Sequence, residues 1–206
     1  LRELGLRPEV EKIEHGKIMG VTFSSPNGTV LEIPMKNPER NYGYVSPREK
    51  YDHVLFKHAK KYSTVMEGFM VTEIIKEGKQ VVGVKGTDAK TKQQMDFRAK
   101  VVVGADGANS IVAQKLGLFE LDGKHHCTAL RAYYNDVEGM NSNIEIHFTE
   151  TLLPGYFWIF PIRENMANVG VGVLSSVISK NKMNLRHLMK DIVENDPTIK
   201  ERFANA

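Results

Sequence analysis

The sequence predicts an α+β fold: a mixed β-sheet portion first, then an antiparallel sheet with flanking helices. Three observations carry this reading. The stretch Lys100–Ser110 runs from an apolar, strand-like segment through Gly104-Ala105-Asp106-Gly107 into the start of a helix. Four strand-like stretches then follow between Cys127 and Leu174 with no helix between them. Near the end, Asn184–Asn195 reads as an amphipathic helix, with Leu185, Leu188, Met189 and Ile192 on one side.

Composition narrows the classes of function. A chain of 206 residues with 41% hydrophobic and 26% charged residues is globular and long enough to bury a core. A net charge of +3, spread over scattered lysines, argues against a nucleic-acid partner. Cys127 is the only cysteine, so no internal disulfide and no cysteine-based metal site is expected. That usage fits a reducing, cytoplasmic compartment. No apolar run approaches the roughly 20 residues that span a bilayer. Leu1–Leu6 resembles the tail of a helix and Ile199–Ala206 another helix, so both ends read as cuts through a longer protein.

In chain order, Lys17–Ile33 predicts a hairpin that turns at Pro26-Asn27-Gly28. Residues 34–45, with Pro34, Pro38 and Gly43, read as a polar loop. Ser46-Pro47-Arg48-Glu49 predicts a helix start: Ser46 as N-cap, Pro47 in the first helical position, Glu49 completing a capping box. Tyr51, Val54, Leu55, His58, Ala59 and Tyr62 then form one apolar stripe, with His58 read as a packed histidine. Arg48 stands in the first turn, where the helix dipole disfavours a cation by roughly 0.3–1 kcal/mol. It either pairs with Glu49 or Asp52, or meets an external anion.

Strands are predicted at Gly68–Ile75, Lys79–Lys85 and Gln93–Val103. In the last of these Met95, Phe97, Ala99, Val101 and Val103 alternate, as one buried face should. The run feeds the Gly-Ala-Asp-Gly turn, and Ser110 caps a helix that Gly117 closes. Such a corner presents backbone N–H groups to an anion. The Asp106 carboxylate suits ligand hydroxyls better than phosphate, so a polyol or ribose joined to phosphate would satisfy both. An ordinary strand-to-helix corner is the competing reading.

The segment Pro154-Gly-Tyr-Phe-Trp-Ile-Phe-Pro161 holds the single tryptophan. Tyr156, Trp158 and Phe160 share one face. A hairpin turning near Glu164 sets Phe160 against Asn168, Trp158 against Gly170, and Tyr156 against Gly172. Either the rings cover the glycines and fill a core, or they wall an apolar cavity that the glycines keep clear.

Val102-Val-Gly-Ala-Asp-Gly-Ala-Asn-Ser110 resembles the Asp-Gly motif of flavin-dependent oxidoreductases with the p-hydroxybenzoate hydroxylase fold. Gly155-Tyr-Phe-Trp-Ile-Phe-Pro161, followed by Ala167-Asn-Val-Gly-Val-Gly172, resembles the Y-x-W-x-F-P signature of the geranylgeranyl reductase family. Arg48-Glu-Lys-Tyr-Asp52-His-Val-Leu55 is similar to its R-x-x-(F/Y)-D-x-x-L element. The resemblance implies the central fragment of an α/β FAD-binding fold, lacking the family's N-terminal G-x-G-x-x-G and its downstream Gly-Asp segment. It implies a substrate-domain hairpin at 1–45, part of an FAD-binding domain at 46–118 and an antiparallel substrate domain at 119–206.

By the same resemblance, Arg48, Val71, Asp106 and Gly107 contact FAD. Tyr156, Trp158, Phe160, Gly170 and Gly172 line a substrate channel. The implied activity is reduction of isoprenoid double bonds by hydride from reduced flavin, with NAD(P)H or another reductant upstream. The implied substrate is a hydrophobic isoprenoid or lipid, which leaves peripheral membrane association open. No catalytic residue is identified; Tyr133, Tyr134 and Tyr156 are candidate proton donors. A monooxygenase or halogenase of the same fold, and a non-enzymatic binding domain, stay open as alternatives. With most of the diphosphate cradle outside this stretch, the 206-residue chain alone is expected to bind FAD weakly. A flavin absorbance titration that saturates at micromolar FAD would contradict this.

Overall fold

The computed structural model describes residues 1, 3–37 and 41–206. These form two compact units, one of residues 1–59 with 122–206 and one of residues 60–121.

The larger unit is built on a six-stranded sheet. Its strands are β2 (Gly20–Ser24), β3 (Val30–Pro34), β8 (Cys127–Asn135), β9 (Asn143–His147), β10 (Tyr156–Arg163) and β11 (Met166–Leu174), in the order β3-β2-β9-β10-β11-β8. Only β2 and β9 run parallel, which makes this sheet mixed. The predicted β10–β11 register is observed, with Phe160 opposite Asn168, Trp158 opposite Gly170 and Tyr156 opposite Gly172. The alternation along the two strands separates the sheet's faces. Phe157, Ile159, Val169, Val171 and Val173 are almost fully buried on one of them. Against that face packs α5 (Leu185–Asn195), through the buried Met189 and Ile192. Ile199 and Phe203, from a 3₁₀ turn at Lys200–Phe203 and the residue before it, complete this core. Each such side chain contributes about 1.5–3 kcal/mol by leaving water. Asn184 caps α5, accepting from the N–H groups of Arg186 and His187 at 3.0 and 3.2 Å.

Several expectations are corrected here. Residues 3–6 are not helical; α1 is the short Arg7–Val10. The hairpin comprises only β2 and β3, because Gly16–Ile18 forms a separate strand, β1, paired with β4 (Gly43–Val45). The stretch read as a loop over 34–45 therefore ends in a strand; Pro38 lies outside the described residues. Helix α2 runs Arg48–Ala59, with the Pro47 carbonyl accepting the Tyr51 N–H at 3.1 Å, so the start sits one residue later than predicted. Its apolar stripe is half-buried, and Tyr62, beyond the helix, is 79% exposed. The short helix α4 (Ser175–Asn181) is not anticipated by the sequence, and Ile199–Ala206 contains a 3₁₀ turn rather than an α-helix.

The smaller unit is an antiparallel sheet of β5 (Phe69–Glu77), β6 (Gln80–Asp88) and β7 (Gln94–Arg98), with α3 (Ile111–Leu116) packed on β5. The predicted strand over 93–103 is cut short. Pairing ends at Arg98, the Ala99 N–H still reaches the Val82 carbonyl at 3.0 Å, and residues 100–106 run on without a ladder. Its supposed buried face is open: Phe97 is 41%, Val101 74% and Val103 80% exposed. Alternation specifies a face, but burial needs a partner strand or helix, and none among the described residues supplies one.

On the core face of the large sheet lies a polar network. Glu145 is 5% and His147 8% exposed. Arg202 grips Glu145 with both Nη atoms, at 2.5 and 2.8 Å, and its Nε donates to the Glu138 carbonyl. His147 Nε2 lies 3.1 Å from Glu145, and its Nδ1 lies 2.8 Å from the Ser24 hydroxyl. Burial raises the Glu145 carboxyl, but the Arg202 and His147 contacts outweigh it, so the group titrates below its ordinary value. Breaking a buried pair leaves an uncompensated charge. Arg202→Ala is therefore expected to cost about 3–5 kcal/mol in urea unfolding. Because the folded carboxyl titrates low, its contribution is complete above its ordinary value of 4.5 and is lost as pH falls below it. Glu145→Gln should flatten that acid limb.

Candidate functional site

Two places collect the residues that the sequence singles out. The first is the corner after β7. Gly107 adopts φ 81°, with open space where a Cβ would stand, so the chain turns sharply there. The turn aims Asp106 back at α3. Its Oδ2 accepts the N–H groups of Ile111 and Val112 at 2.6 and 3.3 Å, and its Oδ1 accepts the Ser110 hydroxyl at 2.5 Å. Ser110 Oγ in turn accepts the Ala113 N–H at 3.0 Å. The Ser110 hydroxyl, helped by the backbone N–H groups, holds the Asp106 carboxyl below its ordinary value although it is exposed. Asp106 thus spends part of its accepting capacity on the helix. Oδ1, which accepts a single hydrogen bond, keeps a lone pair for a ligand hydroxyl. Helix capping by Asp106 was not read from the sequence, although Ser110 as N-cap and Gly117 as closing residue were; both are observed.

Val71 and Asp106 line one cavity of about 370 Å³, together with Gly83, Phe97, Gly104 and Val112. Two residues 35 positions apart in sequence therefore meet. The cavity is apolar at the Val71 end and ionic at the Asp106 end. That donor set fits the sugar-alcohol part of an FAD molecule better than a bare phosphate.

The second place is in the larger unit. Tyr156, Trp158 and Phe160 stand in a row, with neighbouring ring centroids 6.0 Å apart. Phe148 extends the row beyond Tyr156 at 6.3 Å, and Phe23 stacks on Phe148 at 6.4 Å. The sequence suggested three rings; the other two come from β2 and the end of β9, which only the sheet order brings into line. The Trp158 indole N–H donates to the Asn168 Oδ1 at 3.0 Å. A Cβ on Gly170 would collide with the Trp158 ring and lie 2.5 Å from the Leu130 carbonyl. Gly170 therefore sits beneath the indole, and its role is to let that ring lie against the strand. Gly172 differs, because a Cβ there would meet nothing nearer than 3.5 Å.

A cavity of about 710 Å³ opens beside this row, lined by Phe160, Asn168, Ile144, Arg48, Tyr51 and Arg131 among others. Arg48 makes the local pair anticipated for it: Nε and Nη2 each lie 3.0 Å from the Asp52 carboxylate. Both side chains are more than half exposed, so the pair adds only about 0.3–0.5 kcal/mol and leaves Arg48 available to a stronger anion. Of the candidate proton donors, Tyr134 packs on Phe203 in the core and burial raises its hydroxyl, whereas Tyr133 and Tyr156 are exposed on the aromatic face. No group of three or more His, Cys, Asp or Glu that could hold a metal occurs among the described residues.

Solved structures with this fold are flavin enzymes. A geranylgeranyl bacteriochlorophyll reductase-like protein of Thermoplasma acidophilum aligns with a TM-score of 0.79 and 27% identity, over 90% of this chain and 47% of that one. The flavin-dependent brominase Bmp2 aligns with a TM-score of 0.78 and 23% identity, over 99% of this chain and 51% of that one. The architecture is that of an FAD-dependent oxidoreductase.

The FAD binding domain family matches residues 1–154, and the geranylgeranyl reductase catalytic domain matches residues 125–204. The chain belongs to the FAD-binding-domain family, and its C-terminal part is similar to the geranylgeranyl reductase catalytic domain. It is 32% identical to digeranylgeranylglycerophospholipid reductase 1 of Methanococcoides burtonii over 184 residues, 86% of this chain and 44% of that protein. The chain spans about half the length of the curated relatives it matches.

The two glycines make a differential prediction. Gly170→Ala is expected to cost about 1–3 kcal/mol by overpacking and to shift Trp158 emission. Gly172→Ala should stay within about 0.5 kcal/mol of the parent. Equal effects in thermal unfolding would contradict the geometry.

Proposed function

We propose that the complete protein is an FAD-dependent reductase of isoprenoid double bonds, and that the aromatic row is its substrate wall. The observation that carries this reading is the line of rings on one sheet face beside a large, mostly apolar cavity. A prenyl chain carries no charge to grip, so its binding has to come from such surface. The digeranylgeranylglycerophospholipid named in the relatives' names is a substrate of that kind.

In this reading Asp106, Gly107 and Val71 hold FAD, Asp106 through ribityl hydroxyls and Gly107 through its close backbone. Arg48 is a phosphate contact whose Asp52 pair is weak enough to yield. Bound and reduced, FAD supplies the hydride for the alkene. The chain's own share is to keep water out and to orient the double bond. Trp158 is fixed for that task by Gly170 beneath it and by its bond to Asn168. Gly172 leaves room beside Tyr156. Tyr133 and Tyr156 are the candidates for delivering the one proton that balances the hydride, since both have hydroxyls on the aromatic face. NAD(P)H or another reductant would recharge the flavin. Among the described residues no helix is long and apolar enough to cross a membrane; the lipid nature of the substrate named in the relatives is what suggests peripheral association with a bilayer.

The test is anaerobic. The complete protein, reduced and mixed with a geranylgeranyl substrate, should show flavin reoxidation matched by loss of alkene. In a parallel assay in air, substrate-stimulated oxygen consumption with a hydroxylated or halogenated product would overturn the reductase reading. Phe160→Ala is expected to lower kcat/KM by about tenfold to a hundredfold, from lost apolar contact, with flavin content unchanged.

A further inference from the structure

We propose that Arg131 reads the anionic headgroup of the substrate: it binds a phosphate ester in the cavity beside the aromatic wall and so anchors the charged end of the apolar chain. The inference rests on the reductase reading above and adds to it a specificity-determining residue.

Arg131 lies on β8, directly opposite Gly170 of β11, as Trp158 of β10 does on the other side. Residues opposite one another in antiparallel strands project to the same face. Arg131 therefore stands on the aromatic face, separated from Trp158 by a strand whose facing residue has no side chain. Its guanidinium carbon lies 5.1 Å from the centre of the Tyr133 ring. That stacking holds the planar fork flat and leaves its N–H edge for an oxyanion.

The charge balance points the same way. Two of the residues lining the 710 Å³ cavity are cations, Arg48 and Arg131, and none is an acid. Arg48 has Asp52. Arg131 forms no ion pair among the described residues, although it is exposed and 26% of the chain is charged. A wholly apolar ligand would gain nothing from an unpaired guanidinium beside its channel and would have to desolvate it. An amphiphile with a phosphate at one end gains a charge-assisted, forked contact there and apolar burial along Phe160 and Ile144.

Phosphate could come from a lipid ester or from the cofactor's own diphosphate, and two ligands separate the sources. Geranylgeranyl phosphate and geranylgeraniol share a chain and differ only in the phosphate. In the complete, flavin-loaded protein, Arg131→Gln should raise the dissociation constant of the phosphate by tenfold to a hundredfold in equilibrium dialysis. The alcohol's should stay unchanged, as should the flavin absorbance per protein. In turnover, KM should rise for the phosphate alone while kcat holds. Arg131→Lys should recover part of the loss.

Equal affinity of variant and parent for the phosphate would overturn the proposal. So would an equal loss for both ligands, which would make Arg131 a packing residue. Loss of flavin would overturn it too, by giving Arg131 to the cofactor. The dialysis reads Arg131 even where no alkene is reduced, so failure of the reductase reading and failure of this inference give different results.

Discussion

The pairing of β10 with β11 fixes what each face of the large sheet can be. Register and alternation place Phe157, Ile159, Val169, Val171 and Val173 on one side and Tyr156, Trp158, Phe160, Gly170 and Gly172 on the other. Slipping the pair by one residue would exchange the two sets, burying Asn168 and exposing Val169 and Val171. The aliphatic side is sealed by α5 and the turn at Lys200–Phe203. The ring side keeps a cavity. Because the same two strands supply both, the site needs no loop to shape its wall. Gly170 makes this possible: only a strand without a Cβ there lets the indole lie close enough to reach Asn168.

The Arg202–Glu145 pair has its meaning within that arrangement. A mixed sheet with a parallel β2–β9 pair places Glu145 and His147 on the core side, where Val or Ile would seal the interior more cheaply. The charge is tolerated because Arg202 meets it with two nitrogens and His147 with a third. A buried ion pair is weak evidence for stability but strong evidence for register, since few other placements satisfy both partners. Here it locks the turn at Lys200–Phe203 to β9, and with it Phe203, which packs on Tyr134 and Phe157.

Much of this was legible in the sequence, for reasons that can be named. The β10–β11 register followed from period-2 alternation and a single turn. The span of α5 followed from the apolar stripe of Leu185, Leu188, Met189 and Ile192, and the close of α3 from Gly117. What failed was whatever depended on a distant partner. Val101 and Val103 alternate like a buried strand, yet alternation cannot say whether a neighbouring strand is present. Helix α4, Ser-Ser-Val-Ile-Ser-Lys-Asn, has weak helix formers and no capping hydrogen bond, so nothing local announces it. The Glu145–Arg202 pair joins residues 57 apart and left no local signal. The Asp106 carboxylate was placed correctly at the corner, but its capping of α3 depends on a backbone turn at Gly107 that a motif does not specify.

Asp106 shows how a structural role and the cofactor role proposed above are compatible in one group. Its hydrogen bonds to Ser110, Ile111 and Val112 fix the carboxylate in place before any ligand arrives. They also keep it ionised, so it offers lone pairs and no proton. A rigid, deprotonated acceptor pays little ordering cost when a hydroxyl binds, which favours positioning over catalysis. The same carboxylate lies at the N-terminus of α3, where the helix would otherwise attract a phosphate. By occupying that end, Asp106 turns an anion site into a hydroxyl site. A corner with this donor set would suit a hydroxyl of a nucleotide cofactor's sugar-alcohol portion better than a phosphate, through one side chain and the turn that aims it.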